Sequence, residues 1–303
     1  MDQETTLCDQ STTDTGICRS FAFRLTINHQ VNATSELDLT HYVTEITASG
    51  FPGMRSSPEE IREAELDSYL TNLTEREFAE NGTFVRKPDT LMRWLRAYAA
   101  ATATTSSYQT ILEASTPGES QKPAKGTTAT YRDTLDALWI TDRIPAWLPT
   151  VNTFSALGKS PKHFLADPAL VARLLHITAG QLISGATHAL LNSRSGTTLG
   201  RLFESLVALS LQTYAQVNRA ELRHFHSVKG DHEVDFIVER GFALIAIEAK
   251  ISADITSDDV RHLNWLAANY PDYQIARVIL TAGKYAYTRP DGVHVIPASL
   301  LGA

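Results

Sequence analysis

Two apolar runs on either side of a glycine constrain this chain more than any other feature of it. Glu233-Val234-Asp235-Phe236-Ile237-Val238-Glu239 and Ala243-Leu244-Ile245-Ala246-Ile247-Glu248-Ala249-Lys250 flank Gly241 and have the length and composition of neighbouring strands. Upstream, Lys229-Gly230-Asp231 reads as a hairpin turn, and Leu222 to Ser227 before it as another strand. The apolar stretch from Leu199 to Tyr214 predicts a long helix ahead of all three. Downstream, Asp258 is placed to cap a helix through Val260, Leu263 and Ala267, Gln274 to Thr281 returns as a strand, and Val293 to Ile296 is a candidate extra strand. Residues 196–303 therefore read as helix, three strands, helix, strand.

The earlier part of the chain reads as helices and breakers. Residues 1–20 form a polar, Thr-rich start expected to be disordered, followed by a helical segment over 21–85. In that segment Phe21 to Leu25 is a short extended piece, Asp38 to Ala48 a helix, and Gly50-Phe51-Pro52-Gly53 its stop. Ser57-Pro58-Glu59-Glu60 has the form of a capping box with proline at the first helical position, and Leu66, Tyr69, Leu70 and Leu73 follow as one apolar face. A helix from Asp89 buries Leu91, Trp94, Leu95 and Tyr98; a breaker-rich loop covers 116–126; a helix resumes over Tyr131 to Ile140. Ile144-Pro145-Ala146-Trp147-Leu148-Pro149 then suits an edge strand or wing because of its prolines. Residues 86–160 thus resemble a winged helix-turn-helix, and 161–195, with turns at Ser160-Pro161 and Asp167-Pro168 and a helix over Ala169 to Ile177, form a helical connection. The whole is of the α/β (α+β) class.

Composition narrows the function classes. No window approaches the roughly 18 apolar residues of a membrane span, and no basic stretch leads into an apolar run at the start, so neither a membrane partner nor a secretory leader is expected. Cys8 and Cys18 cannot staple a chain of 303 residues, which points to a reducing, cytoplasmic setting. The net charge of −7 is uneven. Residues 1–85 hold 5 basic and 15 acidic side chains, leaving 22 and 19 for the rest, so the acidity does not exclude a nucleic-acid partner for the later part. No G-x-x-x-x-G-K-[ST] loop occurs anywhere, so ATP hydrolysis by this chain alone is not expected.

Strand alternation then groups the chemistry. Val234, Phe236 and Val238 are predicted to share one face and Asp235 the other, while Glu248 and Lys250 point together, away from Ile245, Ile247 and Ala249. A hairpin brings Asp235 to Glu248 and Lys250 at one end of the sheet. Glu204 lies among Gly200, Val207, Ala208 and Leu211 on the preceding helix, so it needs a cation partner or a hydrogen-bond network. Carboxylates of this kind suit a hard divalent cation, magnesium or manganese, which completes its shell with water and phosphate. Such an ion activates water against a phosphodiester, and a nearby ammonium stabilises the charge that builds.

Asp235 followed by Glu248-Ala249-Lys250, with Glu204 on the helix before, resembles the Asp…Glu-x-Lys site of the restriction-endonuclease-like nuclease superfamily. More closely, Gly50-Phe51-Pro52, Ser160-Pro161-Lys162, Leu202-Phe203-Glu204, Glu233-Val234-Asp235-Phe236 and Ile247-Glu248-Ala249-Lys250 are similar, in order, to landmarks of the C-terminal portion of bacterial and archaeal AAA-type ATPases that end in a domain of unknown function. The resemblance implies a restriction-endonuclease-like αβββαβ domain over 196–303, with an ATPase-lid-like remnant over 21–85. It implies a truncated or split family member whose ATPase is a separate domain or protein. It also implies catalytic roles for Asp235, Glu248, Lys250 and Glu204, with Asp235, Glu248 and Glu204 as metal ligands on a nucleic-acid substrate, DNA foremost, and Arg261 or His262 as the polar residue of the later helix.

The competing reading is a non-catalytic module that binds nucleic acid or docks a partner on the same scaffold, with the charged strand residues as solvated cross-strand pairs. His224, His226 and His232 fall near the site as surface polarity or as ligands for phosphate or a transition metal. Trp94, Trp139, Trp147 and Trp265 read as core or interdomain anchors rather than stacking platforms, and Glu59, Glu60, Glu63 and Glu65 as a solvated helix face.

Overall fold

A computed structural model describes residues 31–116, 123–149, 159–189, 198–227 and 230–302. The polar start, the piece over Phe21 to Leu25, most of the 116–126 loop and part of the 228–231 turn lie outside the described residues.

The sheet begins with a two-residue strand, β1 (Ala33–Thr34), and the helical half follows: α1 (Leu39–Ala48), α2 (Pro52–Arg55) and α3 (Glu59–Asn72), the last running through a π-turn into α4 (Phe78–Glu80). Next come α5 (Pro88–Ala100), α6 (Tyr108–Ser115) and α7 (Lys125–Ala137). The Asp38 carboxylate caps α1 by accepting from the His41 amide. The capping box predicted at Ser57 does not form: Pro58 is the N-cap of α3, without a side-chain cap, and Ser57 instead offers its carbonyl to Arg62. Leu91, Trp94, Leu95 and Tyr98 bury as their spacing predicts, with Trp94 stacked on Tyr98 at 5.2 Å.

Trp139 corrects its assignment as an anchor, being 84% exposed. Helix α7 stops at Ala137, Trp139 takes a φ of 59°, and the chain reverses so that Ile140 is buried in its place. Trp94, Trp147 and Trp265 do pack inward, Trp147 edge-on to Tyr270 and Trp265 stacked on Phe225.

Strands β2 (Thr141–Ile144) and β3 (Lys162–Leu165) pair antiparallel, with Ile144 opposite Lys162. The segment around Lys162, predicted as a turn, is therefore a strand with all four side chains buried. The proline-rich piece after β2 serves a different purpose from a free wing. The Pro145 carbonyl accepts from the His224 amide, and the Trp147 amide donates to the His224 carbonyl at 2.6 Å. Helices α8 (Pro168–Leu174) and α9 (Ala179–Ala189) complete this half.

Helix α10 (Thr198–Val217) leads into β4 (Glu221–His226), β5 (Glu233–Arg240) and β6 (Ala243–Lys250), all antiparallel. Helix α11 (Arg261–Asn269) crosses to β7 (Gln274–Thr281), which lies parallel to β6, and β8 (Tyr285–Thr288) and β9 (His294–Pro297) finish a seven-stranded sheet ordered β1-β8-β9-β7-β6-β5-β4. A parallel neighbour requires such a crossover. The cap predicted at Asp258 is absent. Val260 is the N-cap of α11 without a side-chain bond, and it is Asp259 that accepts from Thr256.

The two faces of the sheet carry separate cores. Phe236, Val238, Ile245, Ile247, Val278 and Leu280 meet Leu202, Phe203 and Val207 of α10 and, continuous with them, the N-terminal helices. Ile237, Leu244, Ala246, Ile275 and Ile279 meet Val260, Leu263 and Leu266 beside α11. Among the described residues no helix is long and apolar enough to cross a membrane.

Candidate active site

One register jump aims the central carboxylate. On β4 and β5 the pairing passes from Arg223 opposite Ile237 to Phe225 opposite Val234, so Asp235 and Phe236 together face His224 alone. Two residues against one is a β-bulge, which bends the strand and redirects side chains. Val234 therefore packs with the α11 core while Phe236 packs with the α10 core, and the simple alternation that grouped them fails here. Antiparallel pairing of β5 with β6 runs as far as Phe236 opposite Ile247. Beyond that point the Asp235 side chain replaces the strand: its Oδ2 accepts from the Ala249 amide at 3.0 Å.

Asp235 Oδ1 turns to a residue that the sequence reading did not select. Lys162 Nζ donates to it at 2.8 Å and also lies 2.5 Å from Glu204 Oε1 and 3.6 Å from Glu233 Oε1. Its side chain is 1% exposed. Lys162 is thus the cation that Glu204 requires, delivered by β3 from 73 residues before Asp235. Its sequence signals were membership of the Ser160-Pro161-Lys162 landmark and a place just before the apolar Phe164-Leu165 pair, neither of which marks it as buried or as the partner of Glu204.

The second pair lies at the end of β6. Ala246 belongs to the α11 core and Ala249 to the α10 core, so Glu248 and Lys250 share the face opposite Ile245, Ile247 and Ala249, as alternation predicts, and that face is the α11 side. Lys250 Nζ donates to Glu248 Oε2 at 2.7 Å. Asp235 therefore joins two arrangements, touching the Lys162–Glu204 pair directly and the Glu248 strand through the neighbouring amide. Among the described residues no three His, Cys, Asp or Glu side chains are spaced to surround a metal ion.

Electrostatics separates the three acids. Burial and the Asp235 charge raise the Glu248 carboxyl to about 8, against the pull of Lys250. Burial and Asp235 likewise raise Glu204 to about 8, partly countered by Lys162. Asp235 is itself held below the usual range: burial works against its charge, but Lys162, Lys250 and the Ala249 amide outweigh it. Both lysines are held cationic above their ordinary value, because the surrounding carboxylates outweigh the cost of burial.

The histidines divide. His224 is buried, with Nε2 3.1 Å from the Ser160 carbonyl, and burial and Lys162 lower it to about 4, so it is a neutral core residue. His226 Nδ1 lies 3.0 Å from the Ser227 carbonyl. His232 stacks on Trp265 at 4.0 Å with its Nδ1 3.3 Å from His262 Nδ1. Of the two polar residues at the start of α11, His262 is the one facing β5, while Arg261 Nε donates to its Nε2 at 3.0 Å. Burial, Arg261, His232 and Lys250 lower the His262 imidazole below its usual range.

Sequence comparison divides the chain along similar lines. No curated protein matches it. Residues 39–181, which span α1 through the β2–β3 hairpin to the start of α9, match a family profile described as a domain of unknown function (DUF8612). Residues 199–301, which hold Glu204, Asp235, Glu248 and Lys250, match another described as a domain of unknown function (DUF4143), so a C-terminal domain of unknown function, as the sequence landmarks implied, is present.

Proposed function

We propose that the chain hydrolyses phosphodiester bonds of nucleic acid, DNA foremost, with one magnesium or manganese ion held by Asp235 and Glu248. The observation that carries this reading is a shortage of positive charge: three carboxylates, the buried Asp235 and Glu248 and the largely enclosed Glu204, share two ammonium groups. A carboxyl raised to about 8 beside a second carboxylate is one that a cation stabilises in its charged form. Two carboxylates with water and phosphate make an ordinary magnesium shell, so the donor set fits.

The bound ion supplies activation of water and neutralisation of the phosphate. Asp235 is held for this role by Lys162 on one oxygen and the Ala249 amide on the other, each oxygen keeping a further lone pair. Lys250, a third exposed and kept cationic, is suited to donating to phosphate oxygens and orienting the nucleophile rather than to removing a proton. The α5–α7 helices with the β2–β3 hairpin are the DNA-facing surface in this reading, and an ATPase carried by a separate domain or protein is the partner. A magnesium-dependent cleavage assay on plasmid DNA and on RNA tests it. Asp235→Asn and Lys250→Ala are expected to abolish cleavage; unchanged cleavage in both overturns the assignment.

A second reading is favoured by the completeness of the ion pairing: each acid already has an ammonium or amide partner, as in a nuclease-derived fold that only binds. DNA binding that is independent of divalent ions, without cleavage, would identify that module.

A further inference from the structure

We infer that the Lys162 ammonium is a built-in occupant of a cation site formed by Glu204 and Asp235, so that the chain accepts one divalent ion where the three carboxylates could accept two. The inference rests on the hydrolase reading only for the place of that one ion, at Asp235 and Glu248.

The geometry around Nζ carries it. All three of its contacts are carboxylate oxygens, at 2.5 Å from Glu204, 2.8 Å from Asp235 and 3.6 Å from Glu233. These are the ligands a hard cation takes. The three acids come from two elements, α10 and β5, and the ammonium from a third, β3, so the lysine is inserted into an acidic pocket that the C-terminal elements form by themselves.

The residues that follow Lys162 anchor β3. Next to Lys162, the His163 amide and carbonyl bond Thr104 and Ala103, its Nε2 lies 2.8 Å from the Ser106 carbonyl, and Phe164 packs on Phe236 at 6.0 Å. An ammonium brings one charge where a divalent ion brings two. It therefore offsets the charge of Glu204 while leaving Asp235 and Glu248 short of one cation.

Counting bound manganese on the full chain, by the electron paramagnetic resonance of the free ion, tests the assignment. The expected counts are one for the native chain, two for Lys162→Ala, one for Glu204→Gln and none for Glu248→Gln. A folded Lys162→Ala chain that binds no more manganese than the native one overturns the inference. So does Glu204→Gln if it loses the native ion, and that variant decides the matter should Lys162→Ala fail to fold. Two ions on the native chain would overturn the occupancy by Lys162 while leaving the hydrolase reading intact. None on the native chain with one on Lys162→Ala would uphold the occupancy and overturn the hydrolase reading, and none on any of them overturns both.

Discussion

The two lysine–carboxylate pairs at the end of the sheet use the same chemistry in different surroundings. Lys162 is 1% exposed and enclosed between layers, whereas Lys250 is 33% exposed at the end of its strand. Without divalent ions, removing one member of a fully buried pair strands an uncompensated charge, while a partly exposed pair can exchange a partner with solvent or a ligand. The difference suits the Lys162 side to holding the local structure and, under the proposed function, leaves the Lys250 side accessible to a ligand.

That division is sharpest in stability. Lys162→Ala should lose about 3 to 5 kcal/mol, the cost of an uncompensated buried charge, measured by urea unfolding in a chelator. Lys250→Ala should lose about 1 to 3 kcal/mol, that of a charged hydrogen bond left unmade. Equal losses would erase the distinction. At the far end of the scale, Glu45→Ala breaks the exposed pair with Arg55 and should cost roughly 0 to 1 kcal/mol.

Between these lies the pH response. Glu204 and Glu248, held at about 8 when folded against an ordinary 4.5, keep protons that the unfolded chain has released. Their contribution to stability is full below about pH 4.5 and is lost as pH rises through about 8. Stability without divalent ions should fall across that window, and Glu204→Gln and Glu248→Gln should each flatten the curve. Asp235 works in the opposite sense: its contribution is present above the ordinary carboxylate range and is lost as pH falls from there through its depressed range. A curve equally steep in all three chains would show that neither carboxyl is raised.

Metal binding should follow the same titration. A site in which manganese displaces the Glu248 proton should bind that ion more tightly as pH rises from 6 to 8, by at most about tenfold per unit, and release protons as it does so. Calorimetry in buffers of different ionisation enthalpy counts those protons. Release that persists in Glu248→Gln would move the ion elsewhere.

Legibility followed the range of the interaction. The β5 and β6 strands, the α10 helix and the orientation of Glu248 and Lys250 are local consequences of period and composition, and β6 spans the predicted residues. The aim of Asp235 is not local: it follows from the bulge, a property of how β5 pairs with β4 at His224. Glu204's need for a cation could be read from its apolar neighbours, but its partner lies on a strand read as a turn. The caps expected at Ser57 and Asp258 failed because a capping side chain bonds only when the helix begins directly after it, and these helices begin after Pro58 and Val260 instead. Trp139 was misplaced because helical spacing was carried past the end of α7.

The strap at Pro145 to Trp147 has one more consequence. By bonding the His224 backbone in both directions it covers part of the outer edge of β4, a row of amides that would otherwise recruit a strand from another molecule. A fragment containing only the sheet half would lose this guard and the Lys162 counter-charge together. Such a fragment should self-associate when produced alone, as an unguarded strand edge does.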